Sequence, residues 1–260
     1  MEKKKITKVE GDAVAASASE VTSRFVASDE SKGKATQLRV IAAILWLLAI
    51  GTQIIAIKLL FKQPVNMMWI IILIAIDLAL AVTGSVLWKK SNRLDPASEK
   101  NKFLFFMQSQ LGLVVAVIAF LPLIIFILTS KNLDAKQKGI LGGIAGLALV
   151  IAGVTGVDFN PPSIEQYTAQ TARVEELMGS NLVYWTKSGT KYHLFNDCHS
   201  INKDATTEIF EGSVAKAREL KNISELCKFC ENKANKDKGT TPTDEVKEKV
   251  EDLLDTTKQQ

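Results

Sequence analysis

Thiols and imidazoles are nearly missing from this chain: three cysteines and two histidines in 260 residues. So few thiols, and an odd number, exclude a scaffold stapled by several disulfides. The scarcity of histidine leaves no repertoire for a catalytic constellation built on imidazole. Charge of one sign is also lacking, because 32 basic against 28 acidic residues leave a net charge of only +4. Residues 1–37 hold no apolar core of the kind a cleaved secretory leader needs. They are rich in Ala, Ser and charge, and the expectation is a flexible N-terminal tail.

What is present is unevenly distributed. Four apolar runs, at about 38–61, 65–88, 103–128 and 139–157, are nearly free of charge, whereas polar segments precede and follow them. A helix needs about 20 apolar residues to cross roughly 30 Å of hydrocarbon. Backbone polar groups in lipid must be satisfied within the segment, so each run is expected to be a transmembrane helix; the competing interpretation is a buried helical core. Trp69 and Trp88 flank the second run, where amphipathic rings favour the headgroup layer. Lys89, Lys90, Arg93, Lys100 and Lys102 make the second connection the most basic short loop. The positive-inside bias then puts that loop in the cytoplasm, and four crossings put both termini there too, in a multi-pass protein of the cell membrane with the lipid bilayer as its first partner.

Three features of the runs draw notice. Asp77 lies mid-run in the second, where a carboxylate is costly and by default a functional candidate, for protons or a cation; alternatively it is protonated, or bonded to Gln53, Gln108 or Gln110. Pro122 interrupts the third run and is expected to kink it. In the fourth, Gly139/Gly143 and Gly142/Gly146 are spaced four apart, which lines one helix face for close contact, within the bundle or in a homo-oligomer.

Beyond Val157, Pro161–Pro162 stiffen a linker within 158–180, and Ser163 with Gln166 forms a capping-box pattern ahead of a helix predicted over Ile164–Met178, stopped by Gly179. In 181–234, strand-forming residues flank a Ser188–Gly189 turn, and a short helix is predicted from Ser213. The tail, 235–260, is charged, with an amphipathic pattern at Val246, Val250, Leu253 and Leu254.

All five scarce residues fall in this last part: His193, Cys198, His199, Cys227 and Cys230. The Cys227-x-x-Cys230 pair is spaced to wrap one ion, and His193 with Cys198 supplies a second pair for a Cys₃His site. His199 is an alternative nitrogen ligand, and a redox role for the CxxC pair is the competing chemistry. Four protein ligands leave no open position, which points to structural rather than catalytic zinc. A module of this size also benefits from such a staple.

The stretch Gly189–Thr–Lys–Tyr192–His193–Leu–Phe–Asn–Asp197–Cys198–His–Ser–Ile201, followed by Glu211–Gly212–Ser–Val–Ala215–Lys–Ala217 and Cys227–Lys–Phe–Cys230, resembles the metal-binding module of the adaptive-response alkylation-repair protein, Ada, and similar modules appended to some bacterial nucleases and membrane proteins. The resemblance covers about a fifth of the chain. It implies zinc held by His193, Cys198, Cys227 and Cys230. The usual glycine before the final pair is replaced near Asn222, and the usual proline by Leu226. The repair protein's methyl-acceptor chemistry does not carry over, because His193 stands where that site has a thiolate. DNA binding would need a basic face, but Leu182–Lys233 carries eight basic and seven acidic residues, so nucleic acid is not signalled.

The sequence therefore predicts an α-helical four-span membrane bundle plus a small α+β zinc-stabilised cytoplasmic module that serves interaction with a protein partner rather than catalysis. A metal or thiol-redox sensor coupled to the bundle, and a transporter using Asp77, are the alternatives.

Overall fold

A computed structural model describes residues 5–9 and 25–238. The amphipathic pattern at 246–254 lies outside the described residues. The chain divides into two compact units, Val26–Ile164 and a second formed by Met1–Phe25 together with Glu165–Gln260.

The first unit is built from α1 (Asp29–Leu60), α2 (Met67–Leu94), α3 (Lys102–Thr129) and α4 (Ala135–Gly156), all four long and apolar enough to cross a membrane. Each begins at a side-chain cap that satisfies an otherwise orphaned N–H: Ser28, Asn66 and Asn101 accept from the third residue on, and Asp134 forms a reciprocal capping box with Gln137. The cap at Ser28 starts α1 nine residues ahead of the apolar run, so 29–37, expected within a flexible tail, is helical.

Phe120, Ile70, Leu123 and Leu141 fill the bundle core, and one seam of α1 is kept small. Ala35, Ala42, Ala49 and Ala56, each seven residues from the next, are all buried on α1. Such a seam lets α1 lie close along α2, and α3 pairs similarly with α4. Large apolar groups such as Leu47, Trp69, Phe103 and Val150 are on the outside, an arrangement suited to lipid.

Within one chain, the close glycine contact is not at the four-spaced glycines. A Cβ on Gly139, Gly143 or Gly146 would meet nothing within 4 Å, and one on Gly142 would touch only side chains. A Cβ on Gly156, by contrast, would lie 2.6 Å from the carbonyl carbon of Gly112, and one on Gly112 would lie 2.9 Å from the Gly156 oxygen. The tight α3–α4 crossing is therefore backbone against backbone at Gly112 and Gly156, not along the GxxxG face.

Pro122 has no N–H to donate to the Ile118 carbonyl one turn back. Gln53 of α1 donates its Nε2–H to that oxygen at 3.2 Å. This buried amide, three residues from Ala56 on the inner side of α1, thus repairs the gap the proline opens. The other two glutamines are also committed. Gln108 bonds Asn92, and Gln110 exchanges two hydrogen bonds with the backbone of Asp158 at 2.8 and 3.1 Å, pinning the exit from α4. None of the three serves Asp77, which is buried with both carboxylate oxygens lacking a hydrogen-bond partner among the described residues.

The second unit contains β1 (Lys5–Lys8), α5 (Ile164–Met178, entering the unit at Glu165), β2 (Val183–Thr186), β3 (Lys191–Tyr192), β4 (Glu208–Gly212), α6 (Val214–Lys221), β5 (Glu225–Leu226) and α7 (Lys228–Asp237). One sheet has the order β1-β4-β2, with β1 parallel and β2 antiparallel to β4; β3 and β5 form a separate parallel pair. Residues 5–8, expected in a flexible tail, are thus a strand of this unit. The turn around Ser188–Gly189 folds β2 back so that Tyr184 and His193 exchange backbone bonds at 2.8 and 2.7 Å. Val174 and Leu177 of α5 close over Val183, Trp185, Leu194 and Ile209 in the core.

Two predictions concern the bundle. Gly156→Val forces backbone atoms apart and is expected to destabilise by roughly 1–3 kcal/mol, whereas Gly143→Val at the open face changes stability by less than about 0.5 kcal/mol; thermal unfolding in detergent measures both. Gln53→Leu orphans the Ile118 carbonyl in the wild type but not in Pro122→Ala, where the helix regains its own donor. A double-mutant cycle should give a coupling of about 0.5–2 kcal/mol, and zero coupling would show that the two sites act independently.

Candidate metal centre

The register of β3 on β5 creates the centre. Lys191 pairs with Glu225 and Tyr192 with Leu226, so one step further along both strands stand His193 and Cys227. The Cys227 N–H donates to the Tyr192 carbonyl at 2.9 Å and fixes that alignment. Cys227 is also the N-cap residue of α7, which places Cys230 in the first helical turn. Cys198 comes from a tight turn: its N–H donates to the Phe195 carbonyl, and its own carbonyl accepts from Ile201 and Asn202 at 3.0 and 2.8 Å.

Two chain reversals set up this approach. Gly179 ends α5 at φ 72°, and Asn222 ends α6 at φ 55°. Both are left-handed conformations, which glycine and asparagine adopt at least cost. The Asn222 N–H donates to the Arg218 carbonyl at 2.7 Å, after which buried Ile223 leads into β5.

The result is that one ligand atom from each of His193, Cys198, Cys227 and Cys230 lies within 4.8 Å of all the others, and all four residues are buried. Cys230 Sγ is 3.7 Å from His193 Nδ1. Around a tetrahedral ion with metal–sulfur bonds of about 2.3 Å and metal–nitrogen bonds of about 2.0–2.1 Å, neighbouring ligand atoms stand roughly 3.5–3.8 Å apart. The four residues are thus close enough to hold one metal ion. The three cysteines are free thiols.

Burial acts differently on each of the candidate ligands. Burial, and secondarily the charge of His199, pulls His193 down to about 4, so its imidazole is neutral at pH 7 and has a lone pair to offer. Burial pushes the Cys230 thiol up to about 12, against backbone N–H groups of Leu194 and Phe195 aimed at its sulfur. Burial also raises Cys227, but hydrogen bonds from the backbone of Cys230 and Phe229, with the neighbouring thiols, outweigh it and hold that thiol below its ordinary value. Amide donors converging on buried sulfur are the partners that coordinating thiolates require.

Around the four, Arg173 of α5 grips Glu231 with Nε and Nη2 at 3.2 and 3.0 Å, and Gln170 donates to the Ser224 carbonyl at 2.8 Å. These bonds seat α5 against α7 and the approach to β5. Burial holds Tyr192, the residue before His193, up at about 12, a neutral phenol at any ordinary pH.

His199 stands apart. It is exposed, with its ring edge-on to Phe229 at 4.3 Å, and is not one of the four converging ligands. Sequence reasoning did not find Arg173, Gln170 or Glu231; each is a polar residue of unremarkable spacing whose role exists only once α5 is packed. Asp77 belongs to the other unit and takes no part in this centre. No protein-family model, curated protein or solved structure matches the chain.

Proposed function

We propose that this chain is a multi-pass membrane protein displaying a cytoplasmic module whose fold is locked by one structural zinc ion, and that the module serves protein interaction rather than catalysis. The observation that carries this is the convergence of four buried soft ligands, three sulfurs and one neutral imidazole, on a single point. Zinc is the metal that this donor set suits in a tetrahedral site. Four protein ligands fill such a site and leave no position for substrate. The likeness of His193, Cys198, Cys227 and Cys230 to the Ada-type pattern supports the same assignment. Burial of all three thiols favours a structural role over thiol sensing, which needs an accessible, activated sulfur. The cytoplasmic side rests on the basic connection between the second and third helices.

Full-length protein purified in detergent under reducing conditions is expected to hold one zinc per chain. Cys227→Ser and Cys230→Ser should each lose the metal and lower the unfolding midpoint, and a strong chelator should reproduce the shift in the wild type. A folded wild-type protein without metal would defeat the assignment.

One observation favours a second function for the bundle: the Asp77 carboxylate is buried without a hydrogen-bond partner among the described residues. If it carries protons or cations, liposomes containing the wild type show a flux that Asp77→Asn abolishes. Equal flux in the two ends that reading.

A further inference from the structure

The segment at the opposite end of the chain from the metal ligands is bound on the second unit in an unusual way. β1 lies parallel along the outer edge of β4 in the register Lys5–Glu208, Ile6–Ile209, Thr7–Phe210 and Lys8–Glu211, and the Val9 N–H donates to the Glu211 carbonyl at 2.8 Å. Its attachments are main-chain and electrostatic. Lys5 Nζ is 3.8 Å from a Glu208 carboxylate oxygen and Lys8 Nζ 3.7 Å from one of Glu211. The Thr7 hydroxyl also donates to Glu208, and Tyr184 bonds Glu211 from β2 on the other side.

β1 contributes little to the core. The side chains of Lys5 and Lys8 are 78% and 80% exposed, and Ile6 remains 43% exposed. By contrast, the β2–β4 pair carries its own buried contacts through Trp185 and Ile209. The β2–β4 pair therefore has its core without β1, and what β1 adds is a ladder, the Thr7–Glu208 bond and two ion pairs three residues apart, with Val9 just beyond it packed against the core. Successive side chains alternate across a sheet, so Glu208 and Glu211 project to opposite faces and clamp a strand from both. This is the recognition mode of strand addition: the ladder supplies attraction common to any extended peptide, and side-chain pairing supplies the choice among peptides.

We propose that the outer edge of β4 is a strand-accepting site for an extended basic peptide of a partner protein, with Lys or Arg at the first and fourth positions in parallel register, and that Lys5–Lys8 fills this site in cis. The proposal names the partner class of the interaction module, and it rests on that reading for a folded module but not on the identity of the metal. The chain's own strand acts as a competitor that sets the threshold a partner must exceed.

The test uses full-length protein in lipid nanodiscs and a fluorescein-labelled peptide carrying residues 3–10. Lys5→Glu/Lys8→Glu, which repels its own strand from Glu208 and Glu211, is expected to bind the peptide at least tenfold more tightly than the wild type does. Deletion of residues 2–9 provides an independent route to an empty edge. Adding Glu208→Lys/Glu211→Lys to the form that lacks residues 2–9 should remove binding, and a peptide with Glu at both lysine positions should restore it.

If neither opened form, each with the metal content of the wild type, gains peptide binding, the proposal is wrong. Binding indifferent to the Glu208 and Glu211 reversals would overturn it equally, and so would a wild-type dimer dissolved by Lys5→Glu/Lys8→Glu, which would put a second copy's strand on the edge. Absence of metal from the wild type defeats the zinc assignment alone, so the two failures are told apart.

Discussion

Two strands of two residues each hold the candidate centre together. β3 and β5 meet in parallel, and the hydrogen bond from Cys227 to Tyr192 sets His193 beside Cys227 although 33 residues separate them in the chain. A pair so short has little stability of its own in water. It persists because both ends are fastened: Tyr184 holds His193 from β2, and Cys227 runs straight into the cap of α7. The four ligands are therefore both product and cause of this arrangement. The register brings sulfur and imidazole together, and an ion bound by all four would tie the turn at Cys198, the end of β3 and the start of α7 into one object. Loss of that tie leaves three buried thiols crowded about one imidazole with nothing to join them, which is why metal and fold are expected to be lost together.

The bundle obeys a different constraint. In hydrocarbon no water repairs an unpaired backbone group, so each irregularity needs a protein partner. The Ile118 carbonyl, orphaned by Pro122, receives Gln53, and the α4 exit receives Gln110 at Asp158. Asp77 breaks the pattern, and its isolation sets it apart from the other buried polar groups whose bonds are accounted for: Ser85 and Trp46 both donate to the Ala81 carbonyl, and Gln53 is spent on Ile118. Close approach is met by smallness at two places, the alanines along α1 and the Gly112–Gly156 contact between α3 and α4, while Phe120, Ile70 and Leu123 fill the core.

Legibility in the sequence tracked how local the determinant was. The four apolar runs, the helix Ile164–Met178 and the stop at Gly179 were all readable, because each rests on a residue's own conformational preference or on periodicity within a few turns. The candidate cluster was readable through scarcity: with so few thiols and imidazoles, their crowding into one window is informative without any geometry. His193 was preferred to His199 because binding through both Cys198 and its immediate neighbour is strained; the β3–β5 register brings His193 to the other three and leaves His199 exposed against Phe229. The partner of Gln53 needed the α1–α3 packing, and the glycines of the α3–α4 contact could not be picked from the GxxxG spacing because helix rotation decides which face meets a neighbour within the chain. Least readable was β1: Lys-Ile-Thr-Lys carries no strong strand pattern, and its partner lies about two hundred residues away.

That last pairing constrains topology. β1 precedes the four membrane-capable helices in the chain and β4 follows them, yet the two share a ladder in one unit. A strand cannot pair through a bilayer, so the segments before α1 and after α4 must lie on the same side of whatever membrane the helices cross. An even number of crossings satisfies this and an odd number cannot. The requirement is independent of hydropathy and of the charge of the loops. The basic connection between α2 and α3 would share that side if each helix crossed once.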